Sequence, residues 1–162
     1  MDQLDAWSEF NVAMAGATAA LAGLVIVAAS VNIADIVKSR TLTARLGSAI
    51  VMLVVALVVS GVGLMPGLDA LWFGAIIVVI SLVALVFQVL TARLLAVDPN
   101  PHAQARWAKA LLGFLPAVAY LAAGILALAG HSAALHVAGA GAILAIVAAI
   151  VVSWVALVEV LR

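Results

Sequence analysis

Long apolar runs separated by short polar breaks extend along this chain. Five runs are long enough to cross a bilayer, and they cover residues 10–37, 46–65, 70–96, 107–130 and 133–161. A helix rises about 1.5 Å per residue, so about 20 apolar residues cross a hydrocarbon core of about 30 Å. None of the runs alternates with the period of two that is typical of membrane barrels, and helices satisfy their own backbone groups in lipid. The pattern predicts an all-α integral membrane protein, a single five-transmembrane-helix bundle over residues 1–162.

The polar breaks contain residues that typically begin helices. Thr41 or Thr43 is predicted to cap the second helix, and Asp69 the third. Asn100, which a proline follows, is predicted to begin the fourth helix, and Ser132 to cap the fifth. Because the connections are short, neighbouring helices are expected to run antiparallel.

The distribution of positive charge predicts how the helices are oriented. In a five-span chain the first loop, the third loop and the C-terminus lie on one side of the membrane. All the Lys and Arg residues fall in these three places: Lys38, Arg40, Arg45, Arg93, Arg106, Lys109 and Arg162. Positively charged loops stay in the cytoplasm. Four or six spans would split these residues between the two sides, so we expect the N-terminus outside and the C-terminus in the cytoplasm.

Composition excludes several other classes of protein. Hydrophobic residues make up 69% of the chain and charged residues 9%, whereas soluble domains have about 45–50% and about 25%. A soluble globular domain, a disordered chain and a nucleic-acid binder with a basic patch are therefore excluded. The chain has no cysteine, so it has no disulfide, thiolate metal site or cysteine nucleophile. The expected surroundings are the lipid bilayer and other membrane proteins or copies of the chain, with no nucleic acid.

Small residues recur at intervals of four or seven along each predicted span. Helices in lipid associate by close packing, which small residues allow. We expect these ladders to pack inside one bundle, with contacts to copies of the chain or to another protein as the alternative. The ladders are Asn11, Ala15, Ala19 and Gly23, with Gly16 and Ala20 beside them; Ala49, Ala56 and Gly63; Gly74, Ser81 and Gln88; Ala119, Ala123 and Ala127; and Gly141, Ala145, Ala149 and Ser153.

The middles of the spans hold polar side chains but no Asp, Glu, Lys, Arg or His. A charge at a helix centre costs about 2.5–3.5 kcal/mol on insertion scales, so its presence would indicate a function. Among the neutral polar groups, Gln88 is the most costly to bury. It is predicted to form an interhelical hydrogen bond, with a polar constriction or a ligand contact as the alternative. Pro116 frees the carbonyl of Leu112 and should kink its helix, and the Tyr120 hydroxyl is predicted to bond a carbonyl freed by that kink.

Charged and histidine side chains lie at the ends of the spans. Asp35 and Glu159 are predicted to form ion pairs at the inner surface with cations near them, and a proton-relay carboxylate is the alternative. The nearby cations are Lys38, Arg40, Arg45 and Arg162. His131 and His136 are candidates for binding a divalent metal or a haem iron together with acidic residues of the outer side. Their spacing matches no metal-binding motif, so no cofactor is expected. Catalytic triads, phosphate loops and paired carboxylates are missing from the sequence, and the chain is not predicted to be an enzyme.

The first span has a recognisable order of residues. Trp7-Ser8-Glu9-Phe10 leads into Ala15-Gly16-Ala17, Ala19-Ala20-Leu21 and Gly23, and an aliphatic run then closes on Ser30-Val31-Asn32. This order resembles a group of small bacterial multi-pass membrane proteins, some of them labelled modulators of the FtsH membrane protease. The resemblance covers about the first forty residues. It implies the bacterial cytoplasmic (inner) membrane and a regulator that binds another protein.

Three functions remain open at this point. The leading hypothesis is a non-enzymatic membrane protein that packs against partners, as an accessory subunit or regulator of a membrane complex or as a homo-oligomer. The first alternative is an oligomeric channel or transporter for ions or small solutes. Because five helices are too few for the usual inverted repeat, its pore would form between protomers, with Gln88, Ser81 and the Pro116 kink as its lining. The second alternative is a haem- or metal-binding membrane protein that uses His131 and His136.

Overall fold

The structure, a computed structural model, describes residues 4–96 and 104–160. These residues form a short 3-10 turn and six α-helices, and the described ranges contain no strand. The elements are the turn Asp5–Trp7, α1 (Ser8–Val31), α2 (Ile33–Lys38), α3 (Arg40–Val62), α4 (Ala70–Ala96), α5 (Gln104–Leu128) and α6 (Ala134–Val160). The predicted all-α class is confirmed.

Four of the helical segments are long and apolar enough to cross a membrane. They are Asp5–Val31, Arg40–Val62, Ala70–Ala96 and Ala134–Val155. Within α5, the described side chains form a shorter apolar stretch, Leu112–Leu128. The structure is thus a helical bundle with several apolar helices of membrane-spanning length. The count of five spans stays a prediction.

Asn32 breaks the first predicted span, which the sequence analysis treats as continuous from residue 10 to residue 37. The break follows from hydrogen bonds that Asn32 makes to the chain around it. Its side-chain Nδ2 donates to the carbonyl of Ala28 at 3.3 Å, and its own carbonyl accepts from the amides of Asp35 and Ile36 at 3.1 Å. Asparagine competes in this way with regular helical bonding. The prediction of one continuous helix is therefore wrong at Asn32, where α1 ends and α2 begins.

Ser39, rather than either predicted threonine, caps α3. Its backbone is extended, and its Oγ accepts from the amide of Leu42 at 3.4 Å. Thr43 instead donates from its Oγ1 to the carbonyl of Ile36 at 2.9 Å, which ties α3 to α2. As a result α3 begins at Arg40, six residues before the predicted start of the second span.

The α5–α6 turn is built on Gly130 and His131. Gly130 has a φ of +68°, which glycine adopts without strain, and the amide of His131 reaches back to the carbonyl of Leu126 at 2.9 Å. The Nδ1 atom of His131 accepts from the amide of Ala133 at 3.2 Å. His131 therefore satisfies the amide at the start of α6, a role that the sequence analysis assigns to Ser132. The predicted start of α5 at Asn100 lies outside the described residues.

The long helices form a ring of four with α1 on its outside. In the ring α3 packs against α4, α4 against α5, α5 against α6, and α6 against α3, while α1 packs mainly against α3. The different positions appear in burial, since 44% of the apolar window of α3 is buried and only 17% of that of α1. Most of the surface of α1 is therefore free of contact with the other described residues.

Close approach of helix backbones holds the ring together. A Cβ atom added at Gly74 of α4 would lie 2.9 Å from the carbonyl oxygen of Gly124 and from the amide nitrogen of Leu128, both on α5. Alanines line much of the interior, and Ala56, Ala117, Ala123 and Ala145 are fully buried. In lipid such contacts replace the hydrophobic effect as the source of helix association.

The small-residue ladders of the ring helices face its interior. Their buried members are Ala49, Ala56, Gly63, Gly74, Ser81, Gln88, Ala123, Ala127, Gly141, Ala145 and Ala149, while Ala119 and Ser153 are half-buried. The ladder of α1 does not follow this pattern, since Gly16, Ala19 and Gly23 are exposed. The reason is that α1 packs mainly against one helix, α3, and does so through its other side, where Thr18 and Val25 are buried.

Gly74 provides a test of the backbone contact between α4 and α5. We expect Gly74→Ala to destabilise the bundle by about 1–3 kcal/mol, because the added methyl group meets backbone atoms that cannot move aside. Reversible unfolding in mixed detergent micelles measures this change. Gly61→Ala is the matched control, because Gly61 is an exposed helical glycine whose added Cβ meets nothing within 4 Å. Equal stability of the two variants would contradict the contact.

Candidate functional site

A buried polar pair joins α3 and α4 near one end of the ring. Gln88 of α4 is only 3% exposed, and its Oε1 accepts from the Oγ of Ser48 of α3 at 2.7 Å. The interhelical hydrogen bond predicted for Gln88 is therefore present. Gly113 of α5 makes room for the pair, since a Cβ added there would lie 2.7 Å from Gln88 Oε1.

The other half of the Gln88 amide has no partner. Its Nε2 atom is buried and makes no hydrogen bond, although an amide nitrogen carries two donor hydrogens. A buried donor left unpaired costs about 1–3 kcal/mol. The sequence identifies Gln88 as a costly residue, but only the structure shows which of its atoms is satisfied.

Gln88 lines a cavity of about 30 Å³, which we call the Gln88 pocket. Its polar lining consists of Arg45, Ser48, Gln88 and Thr91, and its apolar lining includes Leu95, Leu112, Val151 and Val155. These residues come from the start of α3, the end of α4, the first half of α5 and the end of α6. The pocket therefore lies inside the ring, towards the end where α3 begins and α6 ends.

A second cavity, of about 270 Å³, lies at the opposite end of the bundle, and we call it the His131 pocket. It lies between the N-terminal turn, the α3–α4 connection and the α5–α6 turn, and its lining includes Leu4, Asp69, Phe73 and His131. Leu4 lines this cavity while Val155 lines the Gln88 pocket. The first and the last described segments are therefore at opposite ends of the bundle.

The two candidate histidines have different surroundings. His131 lines the His131 pocket and accepts the amide of Ala133, as described above. His136 packs edge-to-face on the indole of Trp7, with ring centroids 4.9 Å apart. Within residues 4–96 and the described side chains from 112 onward, no three His, Asp or Glu residues are grouped to hold a metal ion. The arrangement gives no support to the metal and haem hypothesis.

The Tyr120 hydroxyl does not bond a carbonyl of its own helix, so this prediction is wrong. The hydroxyl is buried without a hydrogen-bond partner. The aromatic ring of Tyr120 extends towards α6, and a Cβ atom added at Gly141 of that helix would lie 3.2 Å from the aromatic ring. This direction carries the hydroxyl away from the carbonyl that Pro116 frees. The Tyr120 side chain lines a cavity of about 10 Å³ together with Asn11 and Ser60.

Ser81 is enclosed within the protomer. It is fully buried, and its Oγ donates to the carbonyl of Ile77 in its own helix at 2.6 Å. Gln88 is also buried inside the ring. These positions separate both side chains from any surface between protomers, where the channel hypothesis requires them.

Ser153 of α6 has a buried hydroxyl oxygen without a partner among the described residues.

The predicted ion pair between Asp35 and Lys38 is present, with 2.8 Å between Lys38 Nζ and Asp35 Oδ1. Both side chains are well exposed, and exposed pairs of this kind contribute little stability. The pair thus marks the α2 end of the bundle. The side chain of Glu159 and the whole of Arg162 lie outside the described residues.

The outward side of α1 has no partner among the described residues, and we call it the α1 face. It comprises Val12, Gly16, Ala19, Ala20, Gly23 and Val27, all exposed. It lies opposite the packing side of α1, on which Thr18 and Val25 are buried against the bundle. A Cβ added at Gly16 or Gly23 would meet nothing within 4 Å.

Comparisons with known proteins find no matching family, curated protein or solved structure. The resemblance of the first span to small bacterial membrane proteins therefore stays a prediction.

The Ser48–Gln88 pair is testable by a double-mutant cycle. We expect Ser48→Ala to cost about 1–3 kcal/mol, because it leaves the whole Gln88 amide unpaired. Ser48→Ala combined with Gln88→Leu should recover most of that loss, since no amide then remains to be satisfied. Unfolding in mixed micelles gives the coupling energy, which should exceed about 1 kcal/mol. Simple addition of the two single effects would contradict the bond.

Proposed function

We propose that this chain is a non-enzymatic integral membrane protein that works by packing against other membrane helices. It acts as an accessory subunit or regulator of a membrane complex, or as an oligomer of itself. The observation that carries the proposal is the α1 face, a surface rich in small residues that the other described residues leave uncovered. Gly16 with Ala20, and Ala19 with Gly23, are spaced by four residues as in helix-pairing motifs.

The side chains around the small residues favour a helix as the occupant of the α1 face. Glycine and alanine give lipid tails little to pack against, whereas they let another backbone come close enough for many van der Waals contacts. Val12 and Val27 lie at the two ends of the α1 face, and we infer a shallow groove over the glycines and alanines between them. A second helix that crosses at the glycines fills this groove.

The proposal includes a threading of five spans, with the N-terminus outside and the C-terminus in the cytoplasm of the bacterial inner membrane. The backbone of α5 runs over 25 residues, which is about 37 Å of helix and enough to cross. Lys38 and Arg40, Arg45 and Arg93 belong to the ends of α2, α3 and α4 around the Gln88 pocket. Their position at one end of the bundle supports a common cytoplasmic side.

Purification from native membranes in mild detergent tests the proposal. We expect the protein to run as an assembly larger than its own 16.4 kDa, with copies of itself or with another membrane protein. Replacing both Gly16 and Gly23 by Leu should reduce it to a single protomer, because the leucines fill the groove without touching the rest of the chain. Light scattering with a refractive-index correction for detergent measures the mass.

Gly61→Leu is the matched control for this experiment. Gly61 is also an exposed helical glycine with nothing within 4 Å of an added Cβ, but it lies on α3. This variant should keep the wild-type mass. A wild-type protein that runs as a lone protomer, or a Gly16→Leu/Gly23→Leu protein of unchanged mass, would contradict the proposal.

A further inference from the structure

The His131 pocket is large enough to hold a small organic molecule. Its volume of about 270 Å³ equals that of about nine water molecules, so a molecule of about ten non-hydrogen atoms fits inside. Ligand sites in proteins are usually concave and mainly apolar, with a few polar groups that orient the ligand. This pocket has the same composition, since Leu4, Phe73 and Leu135 form apolar walls and Asp69 and His131 are its polar lining residues.

The Asp69 carboxylate has no partner among the described residues. Asp69 directly precedes α4, and its backbone carbonyl accepts from the amide of Phe73 at 2.9 Å. An aspartate at this position usually caps the helix with its side chain, and the sequence analysis predicts such a cap. The carboxylate nevertheless makes no hydrogen bond or ion pair with a described residue. A carboxylate that lines a cavity in this way is available to a ligand.

The described lining of the His131 pocket carries one negative charge. The Nδ1 atom of His131 accepts from the amide of Ala133 at 3.2 Å, so this nitrogen has no proton and the imidazole is neutral in this arrangement. No described Lys or Arg lines the pocket. The described Lys and Arg side chains belong to the opposite end of the bundle: Lys38, Arg40, Arg45 and Arg93. A cleft with charge of one sign attracts ligands of the other sign, so the pocket favours a cation.

A small organic cation fits this lining better than a metal ion or an aminophospholipid. A divalent metal ion needs several ligand groups, and no three His, Asp or Glu residues are grouped among the described side chains. An aminophospholipid brings a phosphate next to its ammonium, and no described cation of the lining could pair with that phosphate. The apolar walls and the aromatic ring of Phe73 suit a hydrocarbon or aromatic body.

We propose that the His131 pocket binds a small organic amine, with an ammonium group carried on an apolar body. The Asp69 carboxylate pairs with the ammonium, and Phe73 and Leu135 pack against the apolar body. No residue of the α1 face lines the pocket, so the site does not depend on the assembly proposed above.

Binding of tritiated phenethylamine to the purified full chain tests the site. A scintillation proximity assay reports binding to immobilised protein in detergent, and beads with empty micelles correct for partition into detergent. We expect saturable binding of one phenethylamine per protomer. Phenethyl alcohol and phenylacetate keep the aromatic body but replace the ammonium by a neutral or a negative group. Each should compete about tenfold more weakly or worse than unlabelled phenethylamine, because neither forms the charged pair with Asp69.

Two pairs of variants locate the binding. Asp69→Asn should weaken it about tenfold or more, since the charge that holds the ammonium is lost. Asp35→Asn removes an exposed carboxylate at the other end of the bundle and should leave binding unchanged. Ala70→Trp should obstruct the pocket from an exposed position of α4, whereas Leu71→Trp, at the exposed neighbour that does not line the pocket, should not.

The tryptophan pair keeps the test decisive even if Asp69→Asn alters the start of α4, because both of its members change exposed side chains. The site would be overturned if phenethylamine did not bind saturably. Equal competition by phenethyl alcohol or phenylacetate, or equal binding by Ala70→Trp and Leu71→Trp, would overturn it as well.

Discussion

The absence of water from the hydrocarbon region is the constraint on which this structure depends. Each backbone amide and carbonyl must be satisfied within its own segment, so the apolar runs become helices. Lipid tails are as apolar as leucine and do not drive helices together, which leaves close packing to hold the bundle. The contact between Gly74 and Gly124 and the alanine-lined interior of the ring are the consequence. The high content of small residues follows from the close packing that helices need in order to associate in a membrane.

Because of the same constraint, the few polar atoms that stay unpaired are costly to bury. Gln88 Nε2 and Tyr120 Oη are buried, and neither has a hydrogen-bond partner among the described residues. The two cases differ in their surroundings. Tyr120 lines a cavity of about 10 Å³, which accommodates at most one water molecule. Gln88 lines a larger cavity of about 30 Å³, whose other polar lining residues are Arg45, Ser48 and Thr91.

Sequence reasoning predicts this fold well where one physical rule dominates. Apolar length places the ends of α4 and α6 within one residue and those of α3 within six. The four-residue and seven-residue spacings of small residues identify the inward faces of all four ring helices. It fails where the outcome depends on local competition or on which helices become neighbours. α1 ends at Asn32, whose side-chain amide donates to the carbonyl of Ala28, and a hydropathy pattern does not register such a bond. The ladder of α1 looks like those of the ring helices, but its exposure follows from α1 having one neighbour. The direction of the Tyr120 ring depends on Gly141 of α6, a residue 21 positions away in sequence.

The central claim is that the bilayer sets the threading, with the cation-rich end of the bundle in the cytoplasm. Because the chain has no cysteine, single cysteines report directly on this claim. Asp69→Cys and Ser132→Cys place a thiol at the end of the His131 pocket, and Ala34→Cys places one on α2 at the other end. A membrane-impermeant maleimide applied to intact cells should label the first two, and should label Ala34→Cys only after lysis. Labelling of Ala34→Cys from outside, or residues 69 and 132 in different compartments, would contradict the account.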